Sequence, residues 1–242
     1  MNIVGPIYSL FSKIVDKGGV TISFIYFPGC KYTAHSPINS YKVQNYLKKR
    51  FDMHIRGCCS TNMSGVSHED IAVYVCPTCG AFLQEHSPQI KSISVWEILD
   101  EDSDFPWPDY HGEVITVQDC WRAYDNRTLQ NAIRSILSRM NIITEEIEAS
   151  YDKADYCGIS LLKPYSPRYE RFAPVRFIEN ARDKFVPRTE EEQRTFMQKH
   201  CAQFKTDKVV CYCTGCLEGL SIGGANGIHL MDLVMNSVQE IK

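Results

Sequence analysis

The 242-residue chain has no long hydrophobic run. Its longest apolar stretch, Ile22 to Pro28, falls far short of the ~20 residues a membrane helix needs, so membrane insertion is not expected. No positively charged start, apolar segment and small-residue cleavage site opens the chain, so the expected location is cytoplasmic. Charge of one sign is scarce too. Lys and Arg number 26 against 29 Asp and Glu, a net charge of −3, too balanced for a nucleic-acid binder. No Ser/His/Asp or paired-carboxylate arrangement stands out. Hydrophobic content of 44% with 23% charged residues is ordinary globular composition and excludes disorder as the main state.

What the chain does have is cysteine. Eleven in 242 residues is below the roughly 8–10% of a disulfide scaffold but high for a reducing compartment. There, cysteines are metal-binding or catalytic rather than bridged.

Their placement follows a repeated grammar. Ile3, Ile7, Leu10, Phe11 and Ile14 recur at helical spacing, predicting an N-terminal helix within 1–19. A first half, 20–99, has a strand at 20–27 running into Pro28-Gly29-Cys30 and a helix opened by Pro37. A short strand at 53–56 then ends at Gly57-Cys58-Cys59, and one at 71–75 ends at Cys76-Pro77-Thr78-Cys79. Residues 100–113 are acidic, contain Pro106 and Pro108, and read as a linker. The second half, 114–242, has a strand at 114–117 before Cys120, a helix at 127–140, then Cys157. A helix at 190–204 and a strand at 208–210 follow, the strand delivering Cys211, Cys213 and Cys216. Strands alternating with helices, twice over, predict α/β architecture with parallel pairing: two pseudo-repeated Rossmann-like halves with cysteines at the carboxyl ends of the strands.

In an open α/β sheet those ends converge on one crevice, so cysteines remote in sequence can meet. One set is Cys30, Cys58, Cys59, Cys76 and Cys79; the other is Cys120, Cys157, Cys211, Cys213 and Cys216, leaving Cys201 over. A thioredoxin-like dithiol at Cys76/Cys79 leaves the other cysteines of its half unexplained. Structural zinc takes four thiolates and has no use for a fifth. Inert buried thiols suit Cys201 but not ten cysteines at strand ends. Iron–sulfur ligation tolerates sequence-distant thiolates, and five per half point to an unusual cluster.

These motifs resemble a known family. Gly29-Cys30 with Pro37, Gly57-Cys58-Cys59 and Cys76-Pro77-Thr78-Cys79 look like the cysteine-rich CCG domain of the heterodisulfide reductase catalytic subunit, also found in iron–sulfur subunits of glycolate, lactate and glycerol-3-phosphate oxidoreductases. Asp119-Cys120, Cys157-Gly158 and Cys213-Thr214-Gly215-Cys216 look like a second copy, and Val95–Leu99 and His229–Leu233 like the closing segment of each. The resemblance covers residues 20–236 and implies one or two non-cubane [4Fe-4S] clusters, with the ten cysteines as iron ligands. It further implies an oxidoreductase that reduces a thiol- or disulfide-type small molecule with electrons from an iron–sulfur or flavoprotein partner. An electron-transfer subunit of a flavoprotein dehydrogenase and a zinc-binding structural module are the alternatives. The first copy is short of an element, with 16 residues between Cys59 and Cys76. In the second, Tyr156 stands where the CC pair would begin, and Cys211 is the expected substitute ligand.

Three weaker features complete the pattern. The stretch 163–188 holds seven basic residues against Glu170, Glu179 and Asp183, by default a solvated loop and otherwise a lid or docking surface for an anionic substrate or acidic partner. Gly223-Gly224-Ala225-Asn226-Gly227 lacks the strand that a dinucleotide loop follows and reads as a turn. His229 reads as a packing or capping residue.

Overall fold

A computed structural model of the protein describes residues 22–163 and 166–238. The helix expected within 1–19 lies outside the described residues.

Fully buried apolar strands dictate the architecture. β1 (Phe24–Phe27) and β3 (Ile71–Tyr74) are buried at every position, the signature of central strands covered on both faces. They form a parallel sheet of order β2-β1-β3-β4 with the short β2 (His54–Ile55) and β4 (Lys91–Ser94). The second half repeats this order. β5 (Val114–Gln118) and β7 (Val209–Cys211) are central, flanked by β6 (Ile143–Glu146) and β8 (Gly227–His229), again all parallel. The chain is thus α/β, with two four-stranded Rossmann-like halves.

Helices follow the strands. α1 (Cys30–His35) and α2 (Pro37–Phe51) come after β1, and α3 (Pro77–His86) after β3. The closing segment of the first half is a strand running into a helix: β4 passes to α4 (Val95–Glu101) through a capping box, with Ser94 accepting from the Trp96 amide and Glu97 accepting from the Ser94 amide. In the second half α5 (Arg127–Arg139) buries Leu129, Ile133, Ile136 and Leu137. α6 (Pro167–Phe172), α7 (Glu190–Cys201), α8 (Thr214–Ile222) and α9 (Leu230–Val234) complete it, the last following β8 as α4 follows β4.

Between the halves, residues 102–113 contain no helix or strand, yet the segment is packed. Asp102 is buried, accepting from Tyr46 and Arg50, and Phe105 packs edge-on against Tyr46. Polar contacts join the halves elsewhere. Asp232 on α9 accepts from Tyr32 and Asn39 of the first half at 2.9 and 2.8 Å. Residues 166–188 are not a solvated loop: Phe172 and Phe177 pack on Phe82 of α3, and the Glu85 carboxylate accepts the Val175 and Arg176 amides. A basic, aromatic-rich stretch of the second half therefore straps over the first.

Candidate metal centre

Each cysteine set is built by the turns that leave the strands. Gly29 makes the first possible: its φ is +73°, and a Cβ there would lie 2.7 Å from Val75 Cγ1, so only glycine fits between β1 and Cys30. Cys76 sits at the start of α3, with Pro77 in its first turn, and Cys79 lies one turn in. All five cysteines of the first half line one cavity of about 290 Å³, with Cys213 of the second half on the same wall. Within it burial and the Cys58 thiol push Cys30 up, and the Cys59 and Cys76 thiols push Cys79 up.

The second set is tighter and buried. The Sγ atoms of Cys120, Cys213 and Cys216 all lie within 4.8 Å of one another, an arrangement that can hold a metal ion. Burial raises the neighbouring Cys157 thiol, but Cys120 and Arg122 outweigh it and leave it lowered. All four are buried, whereas in the first half Cys30 is exposed and Cys58 and Cys76 are partly so. Gly158 seats Cys157. At φ +57° a Cβ on it would fall 1.7 Å from the Gly215 carbonyl oxygen, so the 157–158 turn lies directly on the first turn of α8.

The structure does not bring Cys211 into this group. Its Sγ lies 3.7 Å from the Cys213 carbonyl oxygen, and burial pushes its thiol up. The register explains this: Cys211 is the last residue of β7, paired with Gln118 and His229, so it belongs to the sheet and not to the loop beyond it. Tyr156, beside Cys157, stacks on His200 at 3.9 Å. Cys201 lies apart on α7, its thiol directed to the Leu220 carbonyl at 3.9 Å. His229 caps α9, its Nδ1 accepting from the Met231 amide, and stacks on Tyr32.

Charge is arranged around the thiols. Arg122, two residues after Cys120, is buried with Nη1 3.8 Å from Cys213 Sγ and Nη2 donating to Ser160 and Tyr169. Hydrogen bonds from Cys120 and Cys216, with Arg122, hold Cys213 well below the ordinary thiol range despite burial. A hydrogen bond from Cys79 brings Cys76 down to about 7 against its burial, again with help from Arg122. Partial burial raises Cys58, but hydrogen bonds from Ser60 and the Arg168 guanidinium outweigh it and leave it lowered. Arg168, from the strap, donates to Ser60 at 2.9 Å and lies 3.5 Å from Cys58 Sγ. Lys31, paired with Glu218 at 3.5 Å, and Lys163 also line the cavity, and among the described residues no carboxylate does. Sequence reasoning missed Arg122, Arg168 and Lys163 as individual site residues. The position of Arg122 just beyond a strand-end cysteine was the available signal for one of them.

No family model matches the chain, and no curated protein matches it. The structure is similar to a crystal structure of glutamate racemase isoform RacE1 from Bacillus anthracis, at 10% sequence identity over 88% of this chain and 78% of that one, with a TM-score of 0.32. A likeness at that level bears on neither the site nor its chemistry.

Proposed function

We propose that the protein is an iron–sulfur oxidoreductase subunit that reduces a small anionic disulfide at the cleft lined by Cys30, Cys58, Cys59, Cys76 and Cys79. The observation that carries this reading is the asymmetry of the two thiol sets: one lines a solvent-open cavity with basic walls, and the other is buried, touching that cavity through Cys213. The donors fit an iron–sulfur group. They are all thiols, they come from remote loops, and several are already held toward the thiolate form. The first set would hold one cluster, and Cys120, Cys157, Cys213 and Cys216 a second. When bound, such clusters supply electrons one at a time.

The chain's own residues define the rest. The reaction is R–S–S–R′ + 2 e⁻ + 2 H⁺ → RSH + R′SH, with both electrons drawn singly from an iron–sulfur or flavoprotein partner. Arg168, Lys31 and Lys163 attract and orient the anionic substituents, and Phe82 and Tyr169 shield the sulfurs from water. Arg122 stabilises negative charge on Cys213 and Cys76, the thiols where the two sets approach.

The test is disulfide-dependent oxidation of a reduced viologen dye by protein purified without oxygen. The anionic dithiodipropionate should turn over and the cationic cystamine should not. Equal turnover of both, or none of either by iron-loaded protein, overturns the reading. A zinc-binding structural module is favoured by one observation, that four buried thiols suit a closed tetrahedral site. It gives no account of the open first set.

A further inference from the structure

We propose that a second cavity, which shares Arg122 with the cysteine cleft, binds a phosphate-type oxyanion, either free phosphate or the phosphoryl group of a small ester. The cavity has a volume of about 390 Å³ and lies where α3 of the first half meets the start of α5 of the second. Among the described residues Arg122, Arg127 and Arg176 line it, with Tyr74, Thr128 and a single carboxylate, Asp125. That carboxylate is already engaged, accepting from Arg176 Nη2 at 2.6 Å.

Two observations point to a ligand. Among the described residues, Nη1 of Arg176, which is 8% exposed, has no hydrogen-bond partner, and Nε of Arg122, which is 6% exposed, has none. Buried charged donors are seldom left unpaired, and here two residues lining one cavity each leave one. Independently, the thirteen-residue α5 begins at this cavity with no acidic residue in its first turn. Asn126 caps the Leu129 amide at 3.0 Å, and among the described residues no hydrogen bond engages the amides of Arg127 or Thr128. Helix-end amides and guanidinium forks together match a tetrahedral dianion, which offers several acceptors at once. Arg127 contributes mainly charge, since its side chain lies over Tyr151 and pairs with Asp152 at 3.2 Å. Because the walls come from both halves, the bound oxyanion would also tie them together. The inference does not depend on which metal the cysteines hold.

Phosphorus NMR and calorimetric titration of the full metal-loaded chain test it, using inorganic phosphate and phenyl phosphate in chloride buffer of matched ionic strength. Saturable one-to-one binding is expected, weakened about ten-fold or more in Arg176→Gln and partly restored in Arg176→Lys. Arg127→Gln, which leaves the buried arginines in place, should weaken it as well and carries the test if Arg176→Gln does not fold. Binding of phenyl phosphate alone also supports the site and shows that the phosphoryl group arrives on a larger ligand. Absence of saturable binding by both probes, or binding equal in wild type and the folded variants, overturns the proposal.

Discussion

Arg168 and Cys58 meet across the two halves of the chain, and their contact ties the strap to the chemistry of the cleft. Arg168→Gln is expected to raise KM for an anionic disulfide about ten-fold with kcat changed less, and Arg168→Lys to recover part of the loss. Steady-state kinetics with the two disulfide probes measures this. Cys211→Ser should retain the metal content of the wild type, whereas Cys120→Ser should lose the metal of the second half. His200 gives a prediction in pH. Burial lowers its pKa to about 4, below its value in the unfolded chain, so the folded state holds it neutral. Its contribution to stability is complete above the unfolded value near 6.5 and is lost as pH falls toward 4. Denaturant midpoints from pH 7 to pH 4 should therefore fall more steeply in wild type than in His200→Gln. At this scale the strand-end cysteines were legible because their chemistry is specific and their spacing repeats. Arg122 and Arg168 were not, because an arginine reads as surface until a fold buries it beside a thiol.

Among the elements, short turns of tight geometry hold the site. Gly158→Ala would force a Cβ into the Gly215 carbonyl at a left-handed backbone position. A loss of ~2–4 kcal/mol in stability is expected, with reduced metal content in the second half, read by chemical denaturation and metal analysis. Ser94→Ala, which removes the cap of α4, should cost only about 1 kcal/mol and leave the metal in place. The buried strands β1, β3, β5 and β7 were legible as apolar runs that stop at cysteines. β6 was not, because Ile143–Glu146 is an edge strand whose polar, partly exposed residues carry no hydrophobic pattern. The strap was also hidden. Its arginines suggested solvent, while Phe172, Phe177 and Phe185, which bury it, are scattered at no regular period.

At the scale of the whole molecule, two copies of one topology face each other with their cysteine-bearing ends together, and they have diverged in exposure. In the proposed function the open set takes the substrate and the buried one passes electrons to it. Sequence repetition made the duplication legible; the asymmetry is a tertiary fact, set by the strap and by the seat of Cys157 on α8, and no local pattern announces it. The most direct measurement is iron, acid-labile sulfide and zinc analysis with EPR spectroscopy on protein isolated without oxygen. Iron and sulfide are expected in equal amounts, with a reduced-state signal that sharpens or shifts when a thiol is added and loses that response in Cys58→Ser. Zinc with no sulfide, or a signal indifferent both to thiol and to Cys58, would contradict a redox cluster at the open cleft.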